Sequence, residues 1–86
     1  MSTDDFEQRL REVSATVLGV DVDALSDTAS PSTLGEWTSV THLSLIAAIE
    51  EELSIHFSVA DIFAAQSFGA LRQIASEHVA RRSGPG

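Results

Sequence analysis

Apolar positions recur every three or four residues in four stretches of the chain, which is the spacing of one face of a helix. The two longest stripes consist of Phe6, Leu10, Val13 and Val17, and of Leu45, Ile46, Ile49 and Leu53. The pattern predicts helices over residues 4–18, 39–53, 59–65 and 68–81. No stretch alternates convincingly as a strand, so the prediction is an all-α chain.

The segment between the first two helices, residues 19–38, is rich in Asp, Ser, Thr and Gly and contains Pro31. This composition is typical of a loop. A short turn of helix fits residues 22–25, and Leu25, Leu34 and Trp37 are predicted to hold the loop against the helices. The expected fold is a small four-helix bundle with a long loop between helices 1 and 2 and a short third helix. Residues 1–82 are expected to form a single domain and residues 83–86 a disordered tail.

The charge is uneven along the 86 residues, whose net charge is −8. Neither Lys nor Arg occurs between Arg11 and Arg72, a stretch that holds most of the acids. Such a surface repels nucleic acid and anionic lipid and attracts proteins with basic patches. No cysteine, no secretory signal and no membrane-length apolar run occurs, so we expect a monomer in the cytoplasm that binds neither membrane nor nucleic acid.

Catalytic and metal-binding patterns are weak in this sequence. His42, His56 and His78 are widely spread and lack the spacing of a metal site, so no metal is expected. A small hydrolase that uses Ser39 and His42 is a remote alternative, because the two lie three residues apart on one helix and nothing supplies a pocket. We therefore expect a protein that acts on behalf of enzymes and is not itself an enzyme.

Ser39 stands where the long loop ends and the second helix begins. A hydroxyl at this point lies near free backbone N–H groups and the positive end of the helix dipole, where a phosphate ester is favoured. The simpler interpretation is that Ser39, or Thr38 before it, only caps the helix. Taken alone, the local physics favours the simpler interpretation.

The wider segment resembles the acyl carrier protein family, whose motif is Asp-Ser-Leu at the start of the second helix. The resemblance covers about residues 6–80. Residues that match in register around the motif are Trp37, Ser39, His42, Leu43, Leu45, Ile46, Ala48, Ile49, Glu50, Glu51 and Glu52. Further matches are residues 17–20 with Asp23, residues 55–58 with Asp61 and Ile62, and residues 67–71.

The resemblance implies a function and a cofactor. A phosphopantetheinyl transferase would attach the 4'-phosphopantetheine of coenzyme A to Ser39. The arm would carry acyl or ketoacyl groups as thioesters to acyl-loading, acyl-transfer and condensing enzymes with basic docking patches. The residues expected to meet these partners are Thr38, Val40, Ser44, Ala47, Glu50, Glu51 and Asp61.

Four positions depart from the family pattern. Thr38 replaces the aspartate before the serine, Val40 replaces a larger apolar residue, and Ser44 with Ala47 replaces the acid and methionine of fatty-acid carriers. These departures favour polyketide-type or related secondary metabolism. An aminoacyl or peptidyl carrier, and an unmodified helical adaptor that binds a basic partner, stay open as alternatives.

Two residues near Ser39 have a structural and a functional interpretation each. His42 falls on the inward face of its helix, which favours a partly buried, hydrogen-bonded side chain over a contact with the arm or its cargo. Trp37 is expected to anchor the loop and not to contact a partner.

Overall fold

A computed structural model of the chain describes residues 3–82, and the predicted tail at residues 83–86 lies outside them. The described residues form four α-helices, α1 (Thr3–Leu18), α2 (Ser39–Leu53), α3 (Val59–Ala64) and α4 (Phe68–Arg82). A single 3-10 turn, Val22–Ala24, interrupts the long connection between α1 and α2. The structure therefore confirms the predicted all-α bundle with a long loop and a short third helix. No described helix is long and apolar enough to cross a bilayer.

The helix ends have local causes. Gly19 ends α1 with a φ of +71°, which is the left-handed conformation that glycine adopts without strain. The residue that ends α2, Ser54, takes the same conformation with a φ of 56° although it carries a Cβ. Ser58 and Asp61 form a reciprocal capping box at the start of α3, and the Ser67 hydroxyl accepts the Ala70 N–H at the start of α4. Serine is a favoured residue at both of these helix starts, because its hydroxyl accepts a free backbone N–H of the first turn.

Apolar residues of α1, α2 and α4 form the core together with loop residues that were expected to hold the connection. Leu25 and Trp37 are buried, and Leu34 is partly buried against the core. The other buried apolar residues are Phe6, Leu10, Ala15, Leu18, Ala29, Leu45, Ile46, Ile49, Leu53, Phe57, Ala65, Phe68, Leu71 and Ala75. Burial of the stripes is the main stabilising contribution to a bundle of this size.

Polar contacts tie the long loop to the N-terminal end of α4. The Gly69 N–H donates to the Asp27 carbonyl over 3.0 Å, and Arg72 holds the Asp27 carboxylate at 2.9 Å. A Cβ on Gly69 would lie 3.0 Å from the same carbonyl oxygen, so a larger residue there would force the loop to shift by a few tenths of an ångström. Arg72 also pairs with Glu7 of α1 at 3.2 Å. The loop is therefore fixed at its middle, which leaves its last residues to lead into α2.

Candidate functional site

Thr38 is the residue that caps α2. Its hydroxyl accepts the Thr41 N–H over 3.2 Å, while the Thr41 hydroxyl accepts the Thr38 N–H over 2.7 Å. The Thr41 hydroxyl also donates to the Glu36 carbonyl over 2.7 Å. Two threonines thus close a capping box and bind the end of the loop to the first turn of the helix.

Because Thr38 and Thr41 form the cap, the Ser39 side chain has no role in capping α2. It is the first residue of α2, it is exposed, and its hydroxyl has no hydrogen bond to any described residue. The N–H groups of Ser39 and Val40 also lack an acceptor within the described part of the chain, as expected for the first turn of a helix. The site therefore offers a free alcohol beside free N–H donors at the positive end of a helix dipole.

Ser39 lines a groove of about 490 Å³ between the start of α2 and the end of α3. The groove walls are mostly apolar, with Pro31 from the loop, Leu43 from α2, and Ile62 and Phe63 from α3. His42, Thr38, Ala65 and Gln66 complete the lining. A group attached to Ser39 would therefore leave the protein from within an open, largely apolar depression.

His42 connects three parts of the site. The Trp37 indole N–H donates to His42 Nδ1 over 2.9 Å, and His42 Nε2 lies 2.9 Å from the Ile62 carbonyl oxygen. Both contacts are satisfied by the neutral ring with its hydrogen on Nε2. His42 is half-buried, as its helical position predicted, and it also lines the groove beside Ser39. The structural interpretation of His42 is confirmed, and a contact with the arm stays a prediction.

The residues expected to form a docking surface fall into two groups. Val40, Ser44, Ala47 and Glu51 are exposed on α2, on the side away from its buried stripe, and Thr38 is exposed at the junction. The other two acids have internal partners. Glu50 accepts the Phe57 N–H over 2.8 Å and lies 3.4 Å from His56.

Asp61 is the second acid with internal partners. It accepts the Ser58 N–H over 3.0 Å and contacts His78 Nε2 at 2.7 Å. These hydrogen bonds, with that from His78 the strongest, hold the pKa of the Asp61 carboxyl below its usual value. Asp61 therefore remains ionised in the folded protein at neutral pH. Its carboxylate is hydrogen-bonded at the start of α3 and to His78 of α4.

Sequence reasoning missed three exposed apolar side chains close to the site. Leu43, Val59 and Phe63 are 61%, 70% and 71% exposed, respectively. Leu43 had been noted only as a family match, and Val59 and Phe63 fall in a helix too short for a clear apolar face. A signal that could have found two of them is the spacing of four residues between Val59 and Phe63, which places both on one face of a helix.

Within the described residues, no three His, Asp or Glu side chains are grouped as a possible metal site.

The family model for the phosphopantetheine attachment site matches residues 8–74 of this chain. The chain belongs to the family of phosphopantetheine-dependent carrier proteins. This carrier protein is accordingly one that bears 4'-phosphopantetheine covalently, and the free hydroxyl, the free N–H donors and the open groove at Ser39 fit such a group.

Two further similarities agree with the family. The carrier protein is 40% identical over 81 residues to polyketide synthase ThaG of Burkholderia thailandensis (strain E264), a match that covers 92% of this chain and 1% of ThaG. The chain thus spans about one hundredth of the length of that relative. The solution NMR structure of holo acyl carrier protein from Geobacter metallireducens superposes with a TM-score of 0.79 at 23% identity, over 87% of this chain and 86% of that one. The second similarity shows that the two proteins share a fold.

Proposed function

We propose that this protein is an acyl carrier protein in which Ser39 bears the 4'-phosphopantetheine arm. The observation that carries the proposal is that, of two neighbouring hydroxyl groups, only the first caps the helix. Thr38 caps α2, so the adjacent Ser39 hydroxyl is exposed and free of hydrogen bonds to described residues. The simpler interpretation named Ser39 or Thr38 as the cap, and Thr38 is the residue that caps α2, so Ser39 has no capping role.

The attachment reaction is a phosphoryl transfer to an alcohol. Ser39 Oγ forms a bond to the phosphorus that bears pantetheine, the pyrophosphate bond of coenzyme A breaks, and 3',5'-ADP leaves with the electron pair. The hydroxyl proton passes to a base of the phosphopantetheinyl transferase. The phosphodiester that results is anionic, and the N–H groups of Ser39 and Val40 with the helix dipole favour a negative charge there by about 0.3–1 kcal/mol.

The attached arm supplies a terminal thiol on which an acyl or ketoacyl group is held as a thioester. The similarity to a segment of polyketide synthase ThaG supports polyketide or related secondary-metabolite biosynthesis as the pathway. The protein itself catalyses no step in this proposal, because no catalytic constellation accompanies Ser39 among the residues that line its groove. An aminoacyl or peptidyl cargo is the alternative within the same family.

The partners in this proposal are the transferase and the acyl-loading, acyl-transfer and condensing enzymes that use the arm. They would approach the exposed face of α2 that carries Val40, Ser44, Ala47 and Glu51. Glu50 and Asp61 would contribute less than the sequence suggested, because both carboxylates have internal partners. A cysteine-free, acidic monomer fits delivery between enzymes in the cytoplasm.

The proposal is tested by intact mass spectrometry after incubation with coenzyme A, magnesium and a broad-specificity phosphopantetheinyl transferase. We expect the native protein to gain one phosphopantetheine and Ser39→Ala to gain none. The matched control is Ser76→Ala, which removes an exposed serine on α4 and should be modified like the native protein. Absence of any gain on a folded native protein, with several transferases, would make the unmodified adaptor the better interpretation. A gain on Ser39→Ala would place the arm elsewhere.

A further inference from the structure

The exposed apolar side chains of this protein are concentrated next to Ser39. The large apolar residues that are exposed in the described part of the chain are Val22, Val40, Leu43, Val59 and Phe63. Four of them lie on α2 and α3, and the exposed fractions of these four run from 61% to 74%. Val22, in the 3-10 turn, is 40% exposed and does not line the groove. We call Val40, Leu43, Val59 and Phe63 the apolar patch.

The patch and Ser39 belong to one surface. Leu43 and Phe63 line the same groove as Ser39. Val40 lies three residues before Leu43 on α2, and Val59 lies four residues before Phe63 on α3, so each pair shares a face of its helix. A protein that reaches the Ser39 hydroxyl must therefore cover at least part of this patch.

Charge is scarce at the same place. Position 38, directly before Ser39, holds an uncharged threonine, and the exposed positions 44 and 47 on α2 hold serine and alanine. Glu51 lies twelve residues beyond Ser39, which corresponds to about 18 Å along the helix. The carboxylates of Glu50 and Asp61 face internal donors. Glu36 is the one exposed acid within four residues of Ser39 in the sequence.

We propose that the phosphopantetheinyl transferase recognises this protein mainly through the apolar patch, with Phe63 as its principal contact, and only weakly through charge. The inference rests on the proposed function of Ser39. The transferase is the partner expected to cover the apolar patch. Among the proposed partners, it alone must bring its active site to the Ser39 hydroxyl. Enzymes that use the completed arm act at its far end and need not cover the groove.

If the transferase binds mainly through apolar contacts, the rate of priming should depend little on salt concentration. Apolar contacts do not weaken with ionic strength, whereas attraction between exposed charges is screened over about 10 Å at 0.1 M salt and about 3 Å at 1 M. Burying an exposed phenylalanine in an interface is the kind of contact whose truncation costs about tenfold or more in affinity. An aromatic side chain that is 71% exposed has most of its surface available for such a contact.

The test compares steady-state priming of four variants by a broad-specificity transferase, with coenzyme A saturating and the carrier varied. Phe63→Ala removes the aromatic side chain, and Phe63→Leu keeps an apolar one. Val22→Ala is the matched control, because it truncates an exposed apolar side chain outside the groove. Glu36→Gln removes the one exposed acid within four residues of Ser39 in the sequence. Each protein is first shown by circular dichroism to melt like the native one, which the exposure of all three positions leads us to expect.

We expect Phe63→Ala to lower kcat/KM by about tenfold or more, mainly through a higher KM, and Phe63→Leu to recover most of that loss. Val22→Ala and Glu36→Gln should stay within about threefold of the native protein, and raising NaCl from about 50 to about 500 mM should change kcat/KM little. The inference is overturned if Phe63→Ala is primed like the native protein, if its loss lies in kcat alone, or if Glu36→Gln and high salt cause the larger loss. Failure to prime the native protein would instead contradict the proposed function.

Discussion

At the scale of single residues, the central feature is the pair Thr38 and Ser39. The sequence showed that one of the two could cap α2, but it could not show which, because serine and threonine are both good caps. The structure assigns the cap to Thr38 through its contact with the Thr41 N–H. An aspartate is expected there from the family pattern, and aspartate is also a cap. The threonine therefore preserves the start of the helix while it removes a negative charge beside the attachment serine.

The cap predicts how Thr38 variants change stability. Thr38→Ala should lower the free energy of unfolding by about 1 kcal/mol, because it leaves the Thr41 N–H without its acceptor. Thr38→Asp should keep the stability or raise it by a few tenths of a kcal/mol, since a carboxylate accepts the same N–H and suits the helix dipole. Urea denaturation followed by circular dichroism measures both differences.

Thr16→Ala is the control for these variants, because Thr16 is an exposed threonine inside α1 whose hydroxyl only bonds the Glu12 carbonyl four residues back. It should cost nothing, since alanine is the better helix former. If Thr38→Ala were as stable as the native protein, Thr38 would not be the functional cap, and Ser39 would be the candidate for that role.

Hydrogen bonds between residues that lie far apart in the sequence could not be predicted. The helical position of His42 predicted that the side chain would be partly buried and hydrogen-bonded. Its acceptor, the Ile62 carbonyl, lies twenty residues away and depends on where α3 packs. Glu50 was expected on the docking surface because helical spacing places it near the exposed face. Its carboxylate also accepts the Phe57 N–H, a contact that depends on where the chain turns back across the end of α2.

At the scale of elements, α3 is the only α-helix of the described chain in which no residue is buried, although Ile62 is partly buried against the core. Two imidazoles from the neighbouring helices hold it by hydrogen bonds, with His42 of α2 at the Ile62 carbonyl and His78 of α4 at the Asp61 carboxylate. The ring of His78 also packs edge-on against Phe57 at a centroid distance of 5.5 Å. The helix that forms one wall of the groove therefore depends on polar contacts more than on burial.

Asp61 makes the attachment of α3 dependent on pH. Hydrogen bonds from His78 and from the Ser58 N–H lower the pKa of its carboxyl in the folded protein. A carboxyl whose folded pKa is depressed adds stability above its unfolded pKa of about 4, and that contribution is lost as the pH falls through the folded pKa. Asp61→Asn should therefore cost about 1–2 kcal/mol at pH 7 and progressively less below about pH 4.

The measurement for Asp61 is the free energy of unfolding in urea from pH 7 down to about pH 3, for the native protein and the variant. The control is Asp23→Asn, which changes an exposed aspartate in the 3-10 turn. A constant difference between native protein and Asp61→Asn at every pH would show that the cost comes from shape or capping alone and not from the ionised carboxyl.

Helix bounds were predictable to a high degree, and the reason is local. The bounds of α2 were predicted to the residue, because a loop of Ser, Thr and Gly ends where the apolar stripe begins. The predicted span of α3 was one residue too long, since Ala65 is buried beneath the helix end and leaves the helical conformation there. The groove could not be predicted, because it forms only where the loop, α2 and α3 meet.

At the scale of the whole molecule, excess negative charge opposes folding. The net charge of −8 is confined within a radius of gyration of 12.1 Å, so many of the acids lie within one or two Debye lengths of one another. Ion pairs offset part of this repulsion. Arg72 joins α4 to Glu7 and to Asp27, and Arg9 reaches Glu52 at 3.6 Å, but these pairs are partly exposed and worth little each.

Salt should therefore stabilise this protein. Raising NaCl from about 50 to about 500 mM at pH 7 should increase the free energy of unfolding by on the order of 1 kcal/mol, because screening relieves the repulsion more than it weakens the ion pairs. Urea denaturation at each salt concentration measures the effect without adding ions of its own. Glu51→Gln, which removes an exposed acid of α2, should raise stability at low salt and make the increase smaller. Arg72→Gln should lower stability at low salt and make the increase larger, because it adds net negative charge and removes two ion pairs. A fall in stability with salt would mean that the pairs made by Arg72 and Arg9 outweigh the repulsion, and that the acidity of the surface costs the fold little.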